Sequence, residues 1–527
     1  MTSYSGRVPR APRSGLALLV VLALLLSGCG VFSGGAHTKK ALPEPTLTPS
    51  PIGSTGPGAT VTAAPRLDRF YRQKLTWTSC RGSDRCATLK VPLDYAHPGG
   101  RVIRLALLKV PASSPSRRIG SLVVDPGGPG ASGVDYAAGG QSSFGPELLQ
   151  AFDIVGFDPR GVGRSTPLRC TDTATLDALN SSDPDPDTPA EIRRSDGLLH
   201  RIGEGCLRES GNLARHMSTV EVAKDLDVLR AALGDRRLSY FGASYGTSIG
   251  ATYAGLFPHR VGRMVLDGAL DPSLSTVQQG EVQAKAFETA LRAYVGACVA
   301  RGGCFLGDSV DAGTKRIRAF LDSVEKRPIR GDATRQLESG TALLGIWFPL
   351  YSKRYWGLLD QALQQAFDGN GSVLLALADA YVGRGEQGYK DNSLEALYAV
   401  NCLDHDDPIP SSQVARYVSR FEKVSPTFGA VFAYTLSACA SWPVHSGRKP
   451  APVHATGSAP IMVVGTSRDP ATPLAWARSL ANQLDHGVLV TRNGDGHTGY
   501  RAGNPCVDHA VESYLVSGVV PKAEVDC

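Results

Sequence analysis

The chain has 527 residues, of which 42% are hydrophobic and 20% charged. That is enough apolar material for a large core and more than one domain. The formal charge is +6, but Arg7, Arg10 and Arg13 belong to a leader, and no basic block of nucleic-acid-binding type follows, so a nucleic-acid partner is set aside.

In the leader, three arginines precede the apolar run GLALLVVLALLL, residues 15–26. The run has the length of a signal-peptide core and is short for a membrane span. It ends in LSGC, which resembles a bacterial lipobox with Cys29 as the lipidated residue. Residues 1–29 are therefore expected to be a lipoprotein signal peptide. The protein would be exported and lipid-anchored on the outer face of the cell membrane, its only contact with a membrane, or released from there. A plain secretory signal is the alternative. Residues 30–66, rich in Pro, Thr, Ser and Gly, read as a disordered tether with a reach of about 30–35 Å.

Eleven cysteines are present. With Cys29 assigned to lipid, the remainder is even in number, as disulfides in an oxidising compartment require. Closing short loops between sequence neighbours predicts Cys80–Cys86, Cys170–Cys206, Cys298–Cys304, Cys402–Cys439 and Cys506–Cys527, although spacing alone does not fix this connectivity. No CxxC pair and no His pair at ligand spacing occurs, so no metal is expected.

Along the body, near-continuous apolar runs at 122–124, 154–157, within LSYFGASYG, and at 264–266, 461–464 and 488–491 read as strands covered on both faces. Helical patterns such as STVEVAKDLDVLRAALG separate some of them. This alternation predicts a mostly parallel α/β sheet. Residues 273–452 break the rhythm and read mainly helical, as in EVQAKAFETALRAYVGACVA. They are expected to form a cap of about 180 residues, large enough to be a domain. The sheet-bearing core would then comprise 67–272 and 453–527.

Ser244 lies in GASYG after an apolar run and before the helical pattern TSIGATYAGLF. That is the setting of a nucleophile elbow, where flanking glycines permit a sharp turn. The amides opening the helix favour developing negative charge. A serine needs a base. His497, in the glycine-rich NGDGHTGY after the last run, is the first candidate, and His509 the second. Asp469, in GTSRDPATP, is the expected acid, giving the chain order Ser, Asp, His. Asp267 is the alternative acid, and Asp495 reads as a turn residue. The loop DPGGPGASG, 125–133, offers Gly128, or Gly127, as one oxyanion donor, with the amide of Tyr245 as the other. It matches neither GxxxxGK[ST] nor GxGxxG. Acyl transfer at such a site calls for no cofactor.

DPGGPG, FDPRGVGRS, GASYGTSIG, VLDGALDP, GTSRDPATP and GDGHTGY, in this order, resemble the exported tripeptidyl aminopeptidases of actinobacteria, which belong with the prolyl aminopeptidases in the α/β-hydrolase superfamily. The resemblance runs from about residue 75 to the C-terminus. It implies an α/β-hydrolase fold with a mostly parallel central sheet, and a large helical cap inserted before the strand that leads to the catalytic Asp. It also implies Ser244, Asp469 and His497 as the triad. Prolyl aminopeptidases usually carry His-Gly-Gly-Pro-Gly in the oxyanion loop and the tripeptidyl branch commonly Asn-Pro before the glycines, whereas this chain has Asp125-Pro126. The implied activity is release of short peptides, tripeptides in the first place, from free N-termini of a peptide substrate by a monomeric enzyme. A substrate ammonium would need a carboxylate from the cap. Asp404 and Glu395 are the candidates, with Asp406 and Asp407 beside the former. A carboxylesterase or lipase acting on envelope or extracellular esters is the alternative. A non-catalytic binding protein is a third reading, against which the complete Ser, His, Asp set stands.

Overall fold

In the computed structural model, residues 47–52 and 66–527 are described. The signal peptide, Cys29 and most of the tether lie outside the described residues. The chain enters its sheet through β1 (Thr78–Arg81), β2 (Asp84–Pro92) and β3 (Val102–Val110). β1 is exposed throughout, whereas β2 and β3 alternate buried and more exposed positions over part of their length, as a sheet with one wet face does. Next come β4 (Gly120–Asp125), β5 (Phe152–Phe157), β6 (Leu238–Ala243) and β7 (Val261–Asp267), each buried at every position. Both faces of these strands are covered, which is why their sequences read as unbroken apolar runs. Two short hairpins follow, β8 (Ile329–Arg330) with β9 (Gln336–Leu337), and β10 (Arg384–Gly385) with β11 (Gly388–Tyr389). The sheet resumes with β12 (Ile461–Arg468), β13 (Gly487–Asp495) and β14 (Val525–Asp526).

The sheet has 10 strands in the order β1-β2-β3-β5-β4-β6-β7-β12-β13-β14. β1, β2 and β3 pair antiparallel, as does β3 with β5. Every later neighbour is parallel. The carboxyl ends of β4, β6, β7, β12 and β13 therefore share one edge, where loops from distant parts of the chain can meet. This is the α/β-hydrolase fold.

The insertion between β7 and β12 is helical, from Thr276–Ala300 to Gly429–Thr435. It buries a core of its own around Phe287, Leu343, Ile346, Phe421 and Phe428. One of its helices, Ser393–Asp404, instead sends Ala396, Ala399, Val400 and Leu403 into the core under the sheet, and so ties the insertion to the body. A second helical excursion separates β5 from the helix Thr219–Leu233. It includes Pro189–Ser210, opened by a capping box between Thr188 and Glu191.

FDPRGVGRS turns out to be structural. Arg160 is fully buried and grips Asp225 with two nitrogens, at 2.8 and 2.7 Å, and Glu221 at 2.7 Å. Removing one member of such a buried pair costs about 3–5 kcal/mol, because the other charge is left uncompensated. All five expected cysteine pairs form disulfides. Among the described residues, no helix is long and apolar enough to cross a membrane.

The expected tether needs correction over residues 47–52, which lie against the body. Leu47 and Ile52 pack on the core behind β4. The Ser50 amide donates to Val516 O at 3.1 Å and its hydroxyl to Ser517 O at 2.9 Å. The buried Arg263 donates to Ser50 O and Oγ on one side and to Leu515 O and Val516 O on the other. An apolar residue at each end of a polar stretch suffices for docking when a buried guanidinium needs acceptors. Stripping acceptors from a charged donor costs about 1.5–3 kcal/mol. A chain starting at Gly53 should therefore unfold a few degrees below one starting at Leu47 in a calorimetric scan, and equal midpoints would show that the segment contributes nothing.

Candidate active site

β6 ends at Ala243, and Ser244 follows with φ 54°, a left-handed conformation that costs a non-glycine residue energy and marks a sharp turn. The turn is held from both sides. The Ser244 amide donates to Asp267 O at 2.8 Å, and Thr247 returns its amide and hydroxyl to Ser244 O at 2.9 and 2.6 Å. The neighbours must be glycine, since a Cβ on Gly242 would stand 2.4 Å from Gly246 O and one on Gly246 2.8 Å from Asp125 O. The helix Gly246–Leu256 starts immediately after, with its first amides unpaired by any side-chain cap.

Asp469 lies just past β12 and is buried. Its Oδ1 accepts from the amides of Ala471 and Thr472, both at 2.9 Å. Its Oδ2 accepts from Thr472 Oγ1 and from the Thr498 amide, both at 3.0 Å. His497, past β13, presents Nδ1 to the two oxygens at 2.9 Å each. Burial disfavours the imidazolium, but the Asp469 charge and hydrogen bond, with Asp267 behind them, win and raise the His497 pKa above 6.5. With Nδ1–H donated to Asp469, Nε2 is left as the acceptor for a serine proton. The loop carrying His497 is clamped by the cap: its amide donates to Tyr351 O at 2.9 Å, and its ring meets the Tyr351 ring edge-on at 5.3 Å.

Gly268 joins the two halves. It follows Asp267, whose carbonyl holds the Ser244 amide. A Cβ on it would lie 3.4 Å from His497 Cε1 and 2.9 Å from Thr472 Oγ1. Gly268 thus borders the imidazole and adjoins the residue whose carbonyl holds the elbow amide.

The glycine loop lies against the elbow. A Cβ on Gly127 would be 2.7 Å from the Tyr245 amide and 3.0 Å from Ser244 Cβ. The Gly127 amide is already committed, donating to Asp125 Oδ1 at 2.9 Å. Gly128 is therefore the better placed of the two candidate donors, alongside Tyr245. The far end of the loop is fixed by Asp158, which accepts from Ser132 Oγ at 2.5 Å, the Val134 amide at 3.1 Å and the Arg164 amide at 2.9 Å.

The second candidates fall elsewhere. Asp267 accepts from the amides of Gly499 and Tyr500, at 2.8 and 2.9 Å, so it braces the histidine loop and does not bond the ring. Burial pushes its carboxyl up to about 6. His509 bonds Ser513, and Asp495 pairs with Arg468. The two proposed ammonium receptors already have partners. Asp404 accepts from the Thr219 amide and hydroxyl and pairs with Arg448 at 3.3 Å. Thr219 Oγ1 in turn bonds the Tyr245 hydroxyl, so Asp404 supports the elbow side chain and offers no free oxygen. Glu395 Oε1 accepts from the amides of Cys170 and Thr171, at 2.7 and 3.0 Å. Of the remaining acids, Asp406 pairs with His445 and Asp407 with Thr276. Thr472, Tyr351 and Thr219 were missed as site residues. Only Thr472, within GTSRDPATP, stood inside a motif that could have pointed to it.

An elbow serine, a buried carboxylate–imidazole pair and an amide-lined glycine loop on this sheet define a serine hydrolase of the α/β-hydrolase fold. Residues 425–527 match the family described as TAP-like protein. The chain is 37% identical to the serine protease Hip1 of Mycobacterium tuberculosis (strain ATCC 25618 / H37Rv), over 97% of this chain and 96% of that protein. It is 36% identical to carboxylesterase B of the same strain, over 96% and 98%. Identity to the tripeptidyl aminopeptidase of Streptomyces lividans is 31%, over 89% of each chain. The protein belongs to the tripeptidyl-aminopeptidase-like family of α/β-hydrolases.

Two asparagine variants separate the acids. Asp469→Asn should lower kcat about 10⁴-fold, because the imidazole loses its tautomeric preference, and should also lower the melting temperature, since its amide would face more donors than the carboxyl of Asp267 does. Asp267→Asn places an amide against two donors, and should cost about 1–3 kcal/mol of stability with a much smaller loss of kcat. The reverse pattern in a steady-state assay would make Asp267 the acid.

Proposed function

We propose that this chain is an exported serine exopeptidase that removes short peptides, preferentially tripeptides, from free N-termini. Ser244 is the nucleophile, His497 the base and Asp469 the group that orients it. The observation that carries this reading is that the left-handed Ser244 elbow, held by the Asp267 carbonyl, and the Asp469-bound His497 ring both lie beside Gly268. His497 Nε2 takes the hydroxyl proton as Ser244 Oγ attacks the carbonyl. The amides of Gly128 and Tyr245 receive the charge on oxygen. His497 then gives the proton to the leaving amine, and a water deprotonated by the same nitrogen releases the acyl group. An oxyanion donor of this kind contributes about 10²–10³ in rate.

Relatives named as a serine protease and a tripeptidyl aminopeptidase support the peptidase reading. The five disulfides support export, since such bonds persist in oxidising compartments. A lipid anchor at Cys29 belongs to the same proposal. Glu395 is the remaining candidate for the substrate ammonium. It lies in the first turn of the helix Ser393–Asp404, whose Ser393 carbonyl would stand 2.4 Å from a Cβ on Gly130 of the glycine loop. The relative named carboxylesterase B favours the second reading, an esterase using the same residues.

The test compares tripeptide arylamides, free and N-acetylated, with a short-chain nitrophenyl ester. Amide cleavage that acetylation abolishes supports the exopeptidase, and ester cleavage alone supports the second reading. Ser244→Ala should abolish turnover and fluorophosphonate labelling while leaving the circular dichroism spectrum intact. Because the His497 pKa is raised and the base must be unprotonated, kcat/KM should rise with a midpoint above pH 6.5.

A further inference from the structure

Asp125, the last residue of β4, is buried directly behind the glycine loop. Its Oδ1 accepts from the Gly127 amide at 2.9 Å, and its Oδ2 has no hydrogen-bond partner among the described residues. A Cβ on Gly246 would come within 3.0 Å of Oδ1, so the carboxyl fills the space between the glycine loop and the start of the elbow helix. The ionisable groups around it are Asp158 beyond β5, Tyr136 on the helix Gly133–Ala138, Tyr240 on β6 and Tyr245 at the elbow. None of these is a cation. Tyr240 donates its hydroxyl to Gly246 O and Tyr245 bonds Thr219, so neither phenol serves the free oxygen. The elbow helix dipole favours an anion here but brings no donor to Oδ2. A buried carboxylate needs several donors or a counter-ion to stay ionised.

We propose that Asp125 is the positioning residue of the oxyanion loop and that it acts as a neutral carboxylic acid. Its Oδ1 holds the Gly127 amide, which leaves the next amide, that of Gly128, to face the reacting carbonyl. Loss of its proton sets an uncompensated charge behind the hole where the transition state gathers its own negative charge. Burial, with Asp158 adding to it and the Gly127 amide opposing it, pushes the carboxyl up to about 7. The exchange between the two forms therefore falls within the working range of a serine hydrolase. The proposal rests on the hydrolase reading above.

The test measures the rate of fluorophosphonate labelling of Ser244 across pH 6–9 in the wild type and in Asp125→Asn and Asp125→Ala. The requirement for unprotonated His497 is common to all three and cancels in their ratios. The ratio of Asp125→Asn to wild type should rise tenfold or more from pH 6 to pH 9, since the amide keeps the clasp and cannot ionise. Asp125→Ala, lacking the clasp, should label more slowly than Asp125→Asn at every pH. Thermal melts give a second readout. An aspartate with a raised folded-state pKa loses stability as pH rises from its unfolded value of about 4 through its folded value of about 7. The melting temperature of Asp125→Asn should therefore gain on that of the wild type between pH 5 and pH 8. A labelling ratio independent of pH, or a melting gap that does not widen, overturns the proposal, whether or not the alanine variant folds. Failure of the wild type to label at any pH would overturn the hydrolase reading and this proposal with it.

Discussion

The hydrogen bond between Asp469 and His497 is the constraint on which the rest of the site depends. A buried carboxylate is costly unless donors surround it, and here the amides of Ala471, Thr472 and Thr498 and the Thr472 hydroxyl do so. The imidazole completes the shell and is thereby fixed in orientation and tautomer. Those donors come from the turns after β12 and β13. The pair can form only because these strands run parallel side by side and end together. A slip in their register would separate the acid from the base. The strand pairing thus sets the geometry of the carboxylate–imidazole pair as well as that of the sheet.

The cap enters the site through this same pair. Tyr351 follows the helix Ser339–Leu350, and its carbonyl takes the His497 amide while its ring packs edge-on against the imidazole. Its hydroxyl bonds Tyr381 on the helix Ser372–Val382. Gly496 lets this approach happen, because a Cβ there would sit 2.7 Å from Tyr351 O. An outward movement of the cap would cost the base loop a hydrogen bond and a ring contact.

The sequence made the centre of this site legible because each part needs unusual local chemistry. Ser244 requires glycines on both sides, His497 sits in a glycine-rich loop, and Asp469 follows an unbroken apolar run. The same reasoning found the parallel half of the sheet, since β4 to β7 are buried on both faces. It missed β1, β2 and β3: β1 is exposed throughout, β2 alternates apolar with polar residues, and the short run Leu105–Leu108 in β3 is flanked by Arg104 and Lys109. It read residues 47–52 as part of a tether because six residues have little composition to judge, while the guanidinium that holds them, Arg263, is distant in the chain. Asp404 and Glu395 were singled out as acids in the cap. Their partners, Thr219, Arg448, Cys170 and Thr171, are separated from them in sequence or too ordinary to attract notice. What a carboxylate does is decided by which donors the fold brings to it, and a linear reading sees the acid without its donors.

That point separates the three buried aspartates at the edge of the sheet. Asp469 is ringed by amides, a hydroxyl and an imidazole, and can hold a charge that the imidazolium needs during proton transfer. Asp267 has the amides of Gly499 and Tyr500, and burial lifts it to about 6. Asp125 has the Gly127 amide and an oxygen without a partner, and stands at about 7. Burial is similar in all three, since each is about 1% exposed, so desolvation alone does not distinguish them. The supply of donors does. The acid with the fullest shell faces the base, the one with two amides braces the loop that carries the base, and the one with the fewest donors lies behind the glycine loop, where a standing negative charge would oppose the reaction most directly. One residue type at the ends of three strands thus takes different parts because the loops the fold brings to each, the turn after β4 for Asp125, the loop after β13 for Asp267 and both the β12 and β13 loops for Asp469, deliver different numbers of N–H groups.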